Sequence, residues 1–321
     1  MKETGTNLDI FDKLPSGIVD GVFGGVSNIR ILGTTYDGLT ISQSNVYYLE
    51  SLKQQKKFIL KEYSANGFPD TEFEAYRLLQ NSNTFTKYPE IYSHGRMLDG
   101  TRFLITEYVE GPKLIDTLRS SSDPAVDEYY FRLVSNYIRE LSEVGTSDRL
   151  AALCKDSWLK PDTKDTTDFL IKGYKKFFRG IIFLFGSEEG QQIFDELADA
   201  ARLVEKLPNT FRHGDMSATN IITSTKEIAA FIDWEYSFFG PAEKDQADLI
   251  ASYIFASSNL PLKKMLSISK EEGYDTRALL NFLSLRIVIQ ASVAHYHRLS
   301  DQAIHFSDQF GRVFALLRQS H

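Results

Sequence analysis

The sequence predicts an α+β protein of two lobes, in which a small antiparallel sheet precedes a mainly helical part. Short β-branched or alternating segments, separated by turns rich in Gly, Ser, Asn and Gln, occupy residues 27–63, which is typical of antiparallel strands. After residue 112, apolar residues recur at intervals of three and four, as in helices that bury one face. A length of 321 residues is enough for two lobes or domains.

Composition and charge narrow the class of protein. Hydrophobic residues make up 42% and charged residues 25% of the chain, and no apolar run approaches the roughly 20 residues of a membrane span. The net charge of −7 argues against nucleic acid or an anionic membrane as a partner. Residues 1–7 lack the apolar stretch of a secretory signal, and we interpret the single Cys154 as a core residue rather than a nucleophile. We therefore expect a cytoplasmic protein.

The strands of the sheet are predicted in the first part of the chain. Residues 1–25 are weakly patterned, and we treat them as an N-terminal extension or a short helix. The connection at residues 42–45 has backbone amides and hydroxyls that can cradle a phosphate, and it is equally explained as a plain hairpin turn. Lys61 lies between apolar neighbours on an inner strand, where an ammonium group needs an anionic partner; the alternative is a lysine on an exposed face. The strands are predicted at Ser27–Leu32, Thr40–Ser42, Val46–Leu49 and Phe58–Tyr63.

A helix is predicted next, at Asp70–Gln80, with Asp70 or Thr71 as its cap. Its early turns contain Glu72 and Glu74, whose side chains point in directions about 200° apart. Glu72 shares a face with apolar residues three, four and seven positions later, whereas Glu74 aligns with a half-polar stripe. We therefore predict that Glu72 orients the strand lysine.

The remaining elements are a strand, a connector and a series of helices. The strand at Phe103–Thr106 runs into residues 107–111, and Gly111-Pro112 ends it. We interpret the aromatic residues of the helical stripes as core. The stripes cover residues 130–141, 169–182 and 193–204, and two C-terminal helices are predicted at Thr276–Ser300 and Asp301–Arg318.

The residues that indicate chemistry lie between Phe211 and Glu235. Moving a γ-phosphoryl group to a hydroxyl requires a carboxylate beside the attacking oxygen and oxygen ligands for Mg²⁺. Asp215 would be the carboxylate beside the attacking oxygen, and Asn220 and Asp233 would be the Mg²⁺ ligands. The residues between the two metal ligands have a strand, turn, strand pattern, so a hairpin would bring the ligands side by side. The alternative is a capped loop in which these side chains only form hydrogen bonds within turns. The second group of residues, at 231–235, lies at a distance along the chain that fits a metal site, and this disfavours the alternative.

These motifs resemble those of a known family. His-Gly-Asp at residues 213–215, followed by Ile-Asp-Trp-Glu at 232–235, resembles the aminoglycoside phosphotransferase and choline kinase family of small-molecule kinases, and the order Asp, four residues, Asn is shared with the protein-kinase catalytic loop. The resemblance runs from about residue 27 to about residue 250. It implies a bilobal protein-kinase-like fold with an N-lobe at residues 1–106, a hinge at 107–111 and a helical C-lobe at 112–321.

The resemblance also implies cofactors and further site residues. The cofactors are ATP, with GTP left open, and Mg²⁺. The residues hold the nucleotide or support the catalytic loop. Lys61 would bind the α- and β-phosphates, and Ser42, Ser44 and Asn45 would lie in a nucleotide-covering loop. The main chain of Glu107 and Val109 would bind the adenine edge. His213 and Asp245 would support the catalytic loop, with Asp245 preferred to Asp248 in this role.

We therefore expect an Mg²⁺-dependent phosphotransferase that acts on an alcohol group of a small molecule of the aminoglycoside, amino-sugar or amino-alcohol type. The acidic composition is compatible with a cationic acceptor. Two departures from the family pattern, Val144-Gly145 and Ser217, weaken inferences about the substrate. Two other classes remain, a nucleotide-binding module without turnover and a kinase acting on protein. The intact set of motif residues disfavours the first, and the short stretch after Asp233 disfavours the second.

Overall fold

The structure, a computed structural model, describes residues 9–25, 29–36, 44–159, 162–204, 206–296 and 300–320. Within these residues an antiparallel sheet occupies the first part of the chain, and helices make up most of the remainder. The α+β class, with a small antiparallel sheet ahead of a mostly helical part, is confirmed.

The N-terminal segment packs on one face of the sheet. It contains α1 at Asp9–Lys13, α2 at Ser16–Ile18 and a π-helical turn at Val19–Phe23. Phe23 is fully buried, and its ring centroid lies 5.1 Å from that of Phe58 in the sheet. Burying such a side chain contributes about 1.5–3 kcal/mol. Residues 9–25 are therefore part of a core rather than an extension, and their short turns explain why no long periodic pattern is visible.

The sheet is built from β1 at Ile29–Tyr36, β2 at Asn45–Ser51, β3 at Lys56–Glu62, β4 at Ile91–Arg96 and β5 at Arg102–Glu107. All neighbours are antiparallel, in the order β1–β2–β3–β5–β4. The register sets Lys61 opposite Val46 on one side and Leu104 on the other. Lys61 is therefore central in the sheet, as its apolar neighbours predict.

The predicted strand boundaries agree with β2, β3 and β5 to within a few residues, and β1 continues beyond its predicted end. The predicted strand at Thr40–Ser42 lies outside the described residues. β4 is missing from the sequence prediction, because it lies at the sheet edge and its side chains, mostly polar, are half-buried or exposed. Such an edge strand shows little apolar alternation.

Helix α3 spans Pro69–Ser82 and leads back across the sheet. Neither Asp70 nor Thr71 caps it, which corrects the prediction. Pro69 occupies the first helical position, where no amide donor is needed. The carboxylate of Asp156, from a loop far along the chain, accepts the Asp70 amide at 2.8 Å and the Thr71 hydroxyl at 3.1 Å. The helix start is therefore stabilised by a tertiary contact.

The helical part follows β5. The predicted stripes at 130–141 and 193–204 fall on two of its helices, whereas the stripe at 169–182 is divided at Phe177, whose backbone (φ −103°, ψ 20°) leaves the helical region. The helices are α4 at Leu114–Ser120, α5 at Pro124–Glu140, α6 at Thr166–Lys176, α7 at Phe178–Phe185, α8 at Ser187–Arg202, α9 at Ala242–Phe255, α10 at Leu262–Glu271, α11 at Thr276–Tyr296 and α12 at Ser300–Gln319.

Helix α11 is the central element of this part. In the described ranges it is the one helix long and apolar enough to cross a membrane, with a mean hydropathy of 1.4 in its most apolar window, which corrects the expectation that no apolar stretch approaches this length. Of that window, 67% is buried inside the protein, and the helix packs against α7, α9 and α12. The burial explains its apolar sequence, so α11 is a core helix.

Candidate active site

Short strands lead into and out of the predicted catalytic loop. They are β6 at Thr146–Ser147, β7 at Ala151–Ala152, β8 at Asn209–Arg212, β9 at Ile221–Ser224, β10 at Glu227–Phe231 and β11 at Phe238–Gly240. β8 pairs with β6 and β11, and β9 and β10 form a hairpin. At the base of the hairpin the Asn220 carbonyl accepts the Ile232 amide at 2.9 Å. Asn220 and Asp233 therefore lie at neighbouring positions, in the arrangement that the hairpin predicts.

The loop between β8 and β9 is held by Asp245, on α9. Its two carboxylate oxygens accept the His213 amide at 2.9 Å and the Gly214 amide at 2.8 Å. The His213 ring lies with Nε2 at 3.0 Å from the Ile232 carbonyl, and the Asp215 amide points at its Nδ1 from 3.3 Å. A carbonyl only accepts, so the ring proton is on Nε2 and Nδ1 is the acceptor. His213 and Asp245 thus contact the backbone of the loop, in the supporting positions that the family resemblance implies.

Asp215 is fixed by two side chains. Its Oδ2 accepts a hydrogen bond from the Asn220 amide at 3.1 Å, and its Oδ1 accepts one from Arg286 of α11 at 2.8 Å. Burial opposes ionisation of this carboxyl, but the positive charges of Arg286 and Lys244 outweigh it and hold the pKa of Asp215 below its usual value. The side chain is therefore an ionised carboxylate with a defined orientation.

Lys61 lies at the centre of three carboxylates. Its Nζ is 2.8 Å from Glu72, 2.5 Å from Asp233 and 3.3 Å from Glu235. Burial lowers the pKa of the ammonium, but the three carboxylates outweigh it and raise that pKa well above its usual value. Glu74 instead pairs with Arg77 on the surface. The contact between Lys61 and Glu72 is the one that the helix phase predicts.

A cavity of about 950 Å³ connects these groups and extends between the sheet and the helices. On the sheet side its wall is apolar, with Val46, Ile59 and Leu104 facing Ile222 and Ile232. The cavity opens toward the predicted connector at residues 107–111, and Glu107 and Val109 are among its lining residues. An apolar cavity with a few polar main-chain groups at its edge is the usual form of a small-molecule site.

The residues predicted for the nucleotide-covering loop have different positions. Ser44 is buried and lines the cavity. Asn45 does not line it: the strand register places Asn45 opposite Glu62, and its amide donates to that carboxylate at 2.9 Å. Its predicted role in covering the nucleotide is corrected accordingly. Ser42 lies outside the described residues.

Comparison with known proteins agrees with this arrangement. A model of the phosphotransferase enzyme family matches residues 37–280. The chain belongs to the phosphotransferase enzyme family. No curated protein sequence matches the chain significantly.

Solved structures of distant phosphotransferases share the fold. A thermostable variant of aminoglycoside phosphotransferase APH(4)-Ia, bound to ADP and hygromycin B, superposes with a TM-score of 0.64 at 15% identity, covering 93% of this chain and 98% of that chain. A GDP complex of aminoglycoside 2'-phosphotransferase-IIIa superposes with a TM-score of 0.62 at 13% identity, covering 97% of this chain and 98% of that chain. A candidate fructosamine-3-kinase from Haemophilus somnus superposes with a TM-score of 0.62 at 14% identity, covering 96% of this chain and 98% of that chain. The predicted kinase-like fold is confirmed.

The donor set of this phosphotransferase fits a hard divalent cation. Carboxylate oxygens of Asp233, Glu72 and Glu235 lie within 4.8 Å of one another. Asn220 adds an amide oxygen, because its Nδ2 is engaged by Asp215. Mg²⁺ prefers such oxygen ligands and needs only one or two carboxylates beside phosphate oxygens and water. Asp233 and Asn220, at the hairpin base, are therefore the residues suited to hold it.

Sequence reasoning did not assign a role in the site to Glu235, Arg286 or Lys244. Glu235 lies within a quoted motif, yet its approach to Lys61 depends on a tight 3₁₀ turn at Trp234–Tyr236. Arg286 is the one charged residue in the apolar stretch 278–294, a signal that a buried anion must be near. Lys244, whose ammonium donates to the Gly214 carbonyl at 2.8 Å, gives no such signal. Asp248, its partner on α9, lies 2.5 Å from that ammonium.

Proposed function

We propose that this protein transfers the γ-phosphoryl group of ATP, with Mg²⁺, to a hydroxyl group of a small molecule. The supporting observation is that the Lys61–Glu72 ion pair, the Asn220–Asp233 pair and the carboxylate of Asp215 all face one cavity. GTP remains an alternative donor, since one of the solved structures named above contains ADP and another contains GDP.

Asp215 is the group suited to receive the acceptor proton. In the proposed reaction the acceptor oxygen forms a bond to the γ-phosphorus, the bond from that phosphorus to the bridging oxygen of ADP breaks, and the hydroxyl proton moves to the Asp215 carboxylate. A positioned general base of this kind accelerates a reaction by about 10²–10⁴-fold. The hydrogen bond from Asn220 orients the carboxylate for this role.

The opposite side of the cavity is suited to the phosphates. Lys61 provides an ammonium that stays protonated, and Glu72 holds it in place together with Tyr63, whose hydroxyl donates to the same carboxylate at 2.6 Å. Asp233 and Asn220 would hold Mg²⁺, which neutralises charge on the transferring phosphate when bound. These residues thus contribute positioning and electrostatic stabilisation.

A small-molecule acceptor is supported by the path of the chain after Asp233. Residues 234–241 form only a 3₁₀ turn and β11 before α9 begins at Ala242. This stretch is packed, with Trp234 and Phe238 buried, and it gives no extended segment on which a peptide could dock. The acceptor therefore enters the cavity itself.

The test is a phosphate-transfer screen in which the purified protein, ATP and Mg²⁺ are incubated with hydroxylated amines, sugars, acids and antibiotics, and phosphorylated products are detected by mass. The proposal expects at least one product, and loss of that product in Asp215→Asn. ATP binding without transfer to any acceptor would indicate a nucleotide-binding module. Transfer to protein substrates alone would indicate a protein kinase.

A further inference from the structure

The cavity continues past Asp215 into a chamber between α6 and α11, and the wall of this chamber is apolar and largely aromatic. The side chains that line it include Trp158, Phe169, Phe177, Phe282, Leu285 and Ile289. Two pairs of these rings are in contact. Trp158 and Phe169 pack edge to face, with centroids 5.5 Å apart at an interplanar angle of 80°, and Phe169 and Phe282 pack with a tilt of 46° at 5.9 Å. Rings packed in this way form a firm surface for a flat apolar group.

The carboxylates at this end are already paired with cations of the protein. Arg286 donates to Asp215 at 2.8 Å and lies 3.7 Å from Asp248. Lys244 lies 2.5 Å from Asp248. Among the described residues that line the cavity, the other acidic side chains belong to the Lys61 cluster or to the connector at Glu107. Asp248 Oδ1 has no hydrogen-bond partner among the described residues, but this oxygen is buried. The described lining of the chamber therefore offers no accessible, unpaired carboxylate to an incoming ammonium group.

Two lysines near the end of α6 line the chamber, and among the described residues only one of them has an unpaired charge. The Lys172 ammonium is held by Asp162 at 2.9 Å and Asp168 at 3.0 Å. Lys176 is exposed, and its ammonium lies over the Phe177 ring, 5.2 Å from the centroid. Within the part of the chain that the structure describes, Lys176 forms no ion pair. Its charge is available to a ligand that rests on the aromatic wall.

We propose that the acceptor is a hydroxylated molecule with a flat apolar body and an anionic group, and that Lys176 receives the anion. This inference rests on the proposed function, because it assigns the chamber to the acceptor. The apolar body would contact the aromatic wall, the hydroxyl would meet Asp215, and the anion would lie beside Lys176. A polycation such as an aminoglycoside would place ammonium groups against apolar walls without a free carboxylate, which is unfavourable.

Three small probes of the same shape test the sign of the charge. They are para-(hydroxymethyl)phenylacetate, the neutral diol para-xylylene glycol, and para-(hydroxymethyl)benzylamine, with kanamycin as a polycationic comparison. Binding is measured by calorimetry on the full chain with AMP-PNP and Mg²⁺, and phosphoryl transfer is measured by product mass with ATP. We expect the carboxylate to bind at least about fivefold more tightly than the ammonium, with the diol between them.

A matched pair of variants tests the residue. Lys176→Glu is expected to remove or reverse the preference for the carboxylate. Lys175→Glu makes the same charge change at the adjacent residue, which is exposed and does not line the cavity, and it should keep the wild-type order. Thermal melts verify that both variants are folded.

The outcomes separate this inference from the proposed function. Equal affinity for the three probes, tightest binding of the ammonium or of kanamycin, or the same response in both variants overturns the inference. Transfer of phosphate to the ammonium probe leaves the proposed reaction standing and rejects the acceptor chemistry. The expected order of binding, without transfer to any probe and with no turnover of ATP in a wider screen, supports the preference of the chamber for an anionic ligand, but it rejects the reaction and with it the role of that ligand as an acceptor.

Discussion

The Nζ atom of Lys61 lies 2.8 Å from Oε2 of Glu72. Both residues are nearly buried, with side-chain exposures of 12% and 3%. Dissolved salt therefore weakens the attraction between them only slightly. Glu74, two positions later in the same helix, lies on the surface against Arg77. One helix thus offers a glutamate that contacts Lys61 and a matched control.

We expect Glu72→Gln to lower kcat/KM by about ten- to a hundredfold, because a hydrogen bond between charged groups is worth about 1.5–3 kcal/mol. Glu74→Gln should remain near wild type. Steady-state kinetics with varied ATP will measure both effects. Equal losses in the two variants would show that Glu72 has no special role in orienting Lys61.

Asp215→Asn should reduce turnover by about 10²–10⁴-fold, because the variant cannot accept the acceptor proton. Its affinity for ATP should stay within about twofold of wild type, since the side chain is bonded to Arg286 and Asn220 rather than placed among the Lys61 cluster. Calorimetry with AMP-PNP measures the affinity separately from the rate. An affinity that falls as far as the rate would assign Asp215 to nucleotide binding instead.

Asp233→Asn should raise the Mg²⁺ concentration needed for half-maximal nucleotide binding by at least about tenfold, because a hard cation loses an ionised ligand. The measurement is a magnesium titration of nucleotide binding, with Asp215→Asn as the comparison that should bind metal–nucleotide normally. Unchanged metal dependence in Asp233→Asn would move the metal site elsewhere.

Gly214→Ala should destabilise the protein more than Gly100→Ala. Both glycines have left-handed backbone, with φ of +82° and +88°, so each substitution costs about 1–2 kcal/mol from conformation. At Gly214 a Cβ would also lie 2.0 Å from the Tyr236 carbonyl oxygen, whereas nothing lies within 4 Å at Gly100. Denaturant unfolding of both variants measures the difference. Equal losses of stability would mean that the loop beside Asp215 relaxes at no cost.

Cys154 should react slowly with alkylating agents. Burial and the nearby Asp156 raise the pKa of its thiol to about 11, so the thiol stays protonated to a higher pH than usual. At pH 8 its thiolate fraction is about two-hundredfold below that of an ordinary cysteine, whose pKa is about 8.5. The rate of reaction with iodoacetamide should still rise beyond pH 10 in the folded protein. In urea it should level off near the ordinary value; a plateau at that value in the folded protein would contradict the shift.

Local patterns in the sequence account for the parts of the site that lie close together along the chain. The hairpin between Asn220 and Asp233 follows from strand and turn residues, because its hydrogen bonds join neighbouring segments. The inward phase of Glu72 follows from helical geometry, because residues three and four positions apart share a face. The central position of Lys61 follows from its apolar neighbours.

Contacts between distant segments could not be predicted in this way. The start of α3 is capped by Asp156 rather than by Asp70 or Thr71, and Asn45 is turned toward Glu62 by the strand register. In each case the partner is set by how two elements pack, and no periodic signal in either element specifies the other.

The sequence by itself determined the class of fold, the phosphoryl-transfer motifs and the side of α3 that faces Lys61, because each depends on residues a few positions apart. Only the tertiary structure decided what surrounds Asp215. Arg286 reaches that carboxylate from α11, 71 positions along the chain, and α6 places Lys176 beside an aromatic wall. The charge of this chamber is the sum of side chains from several segments, so it exists only once those segments have packed together.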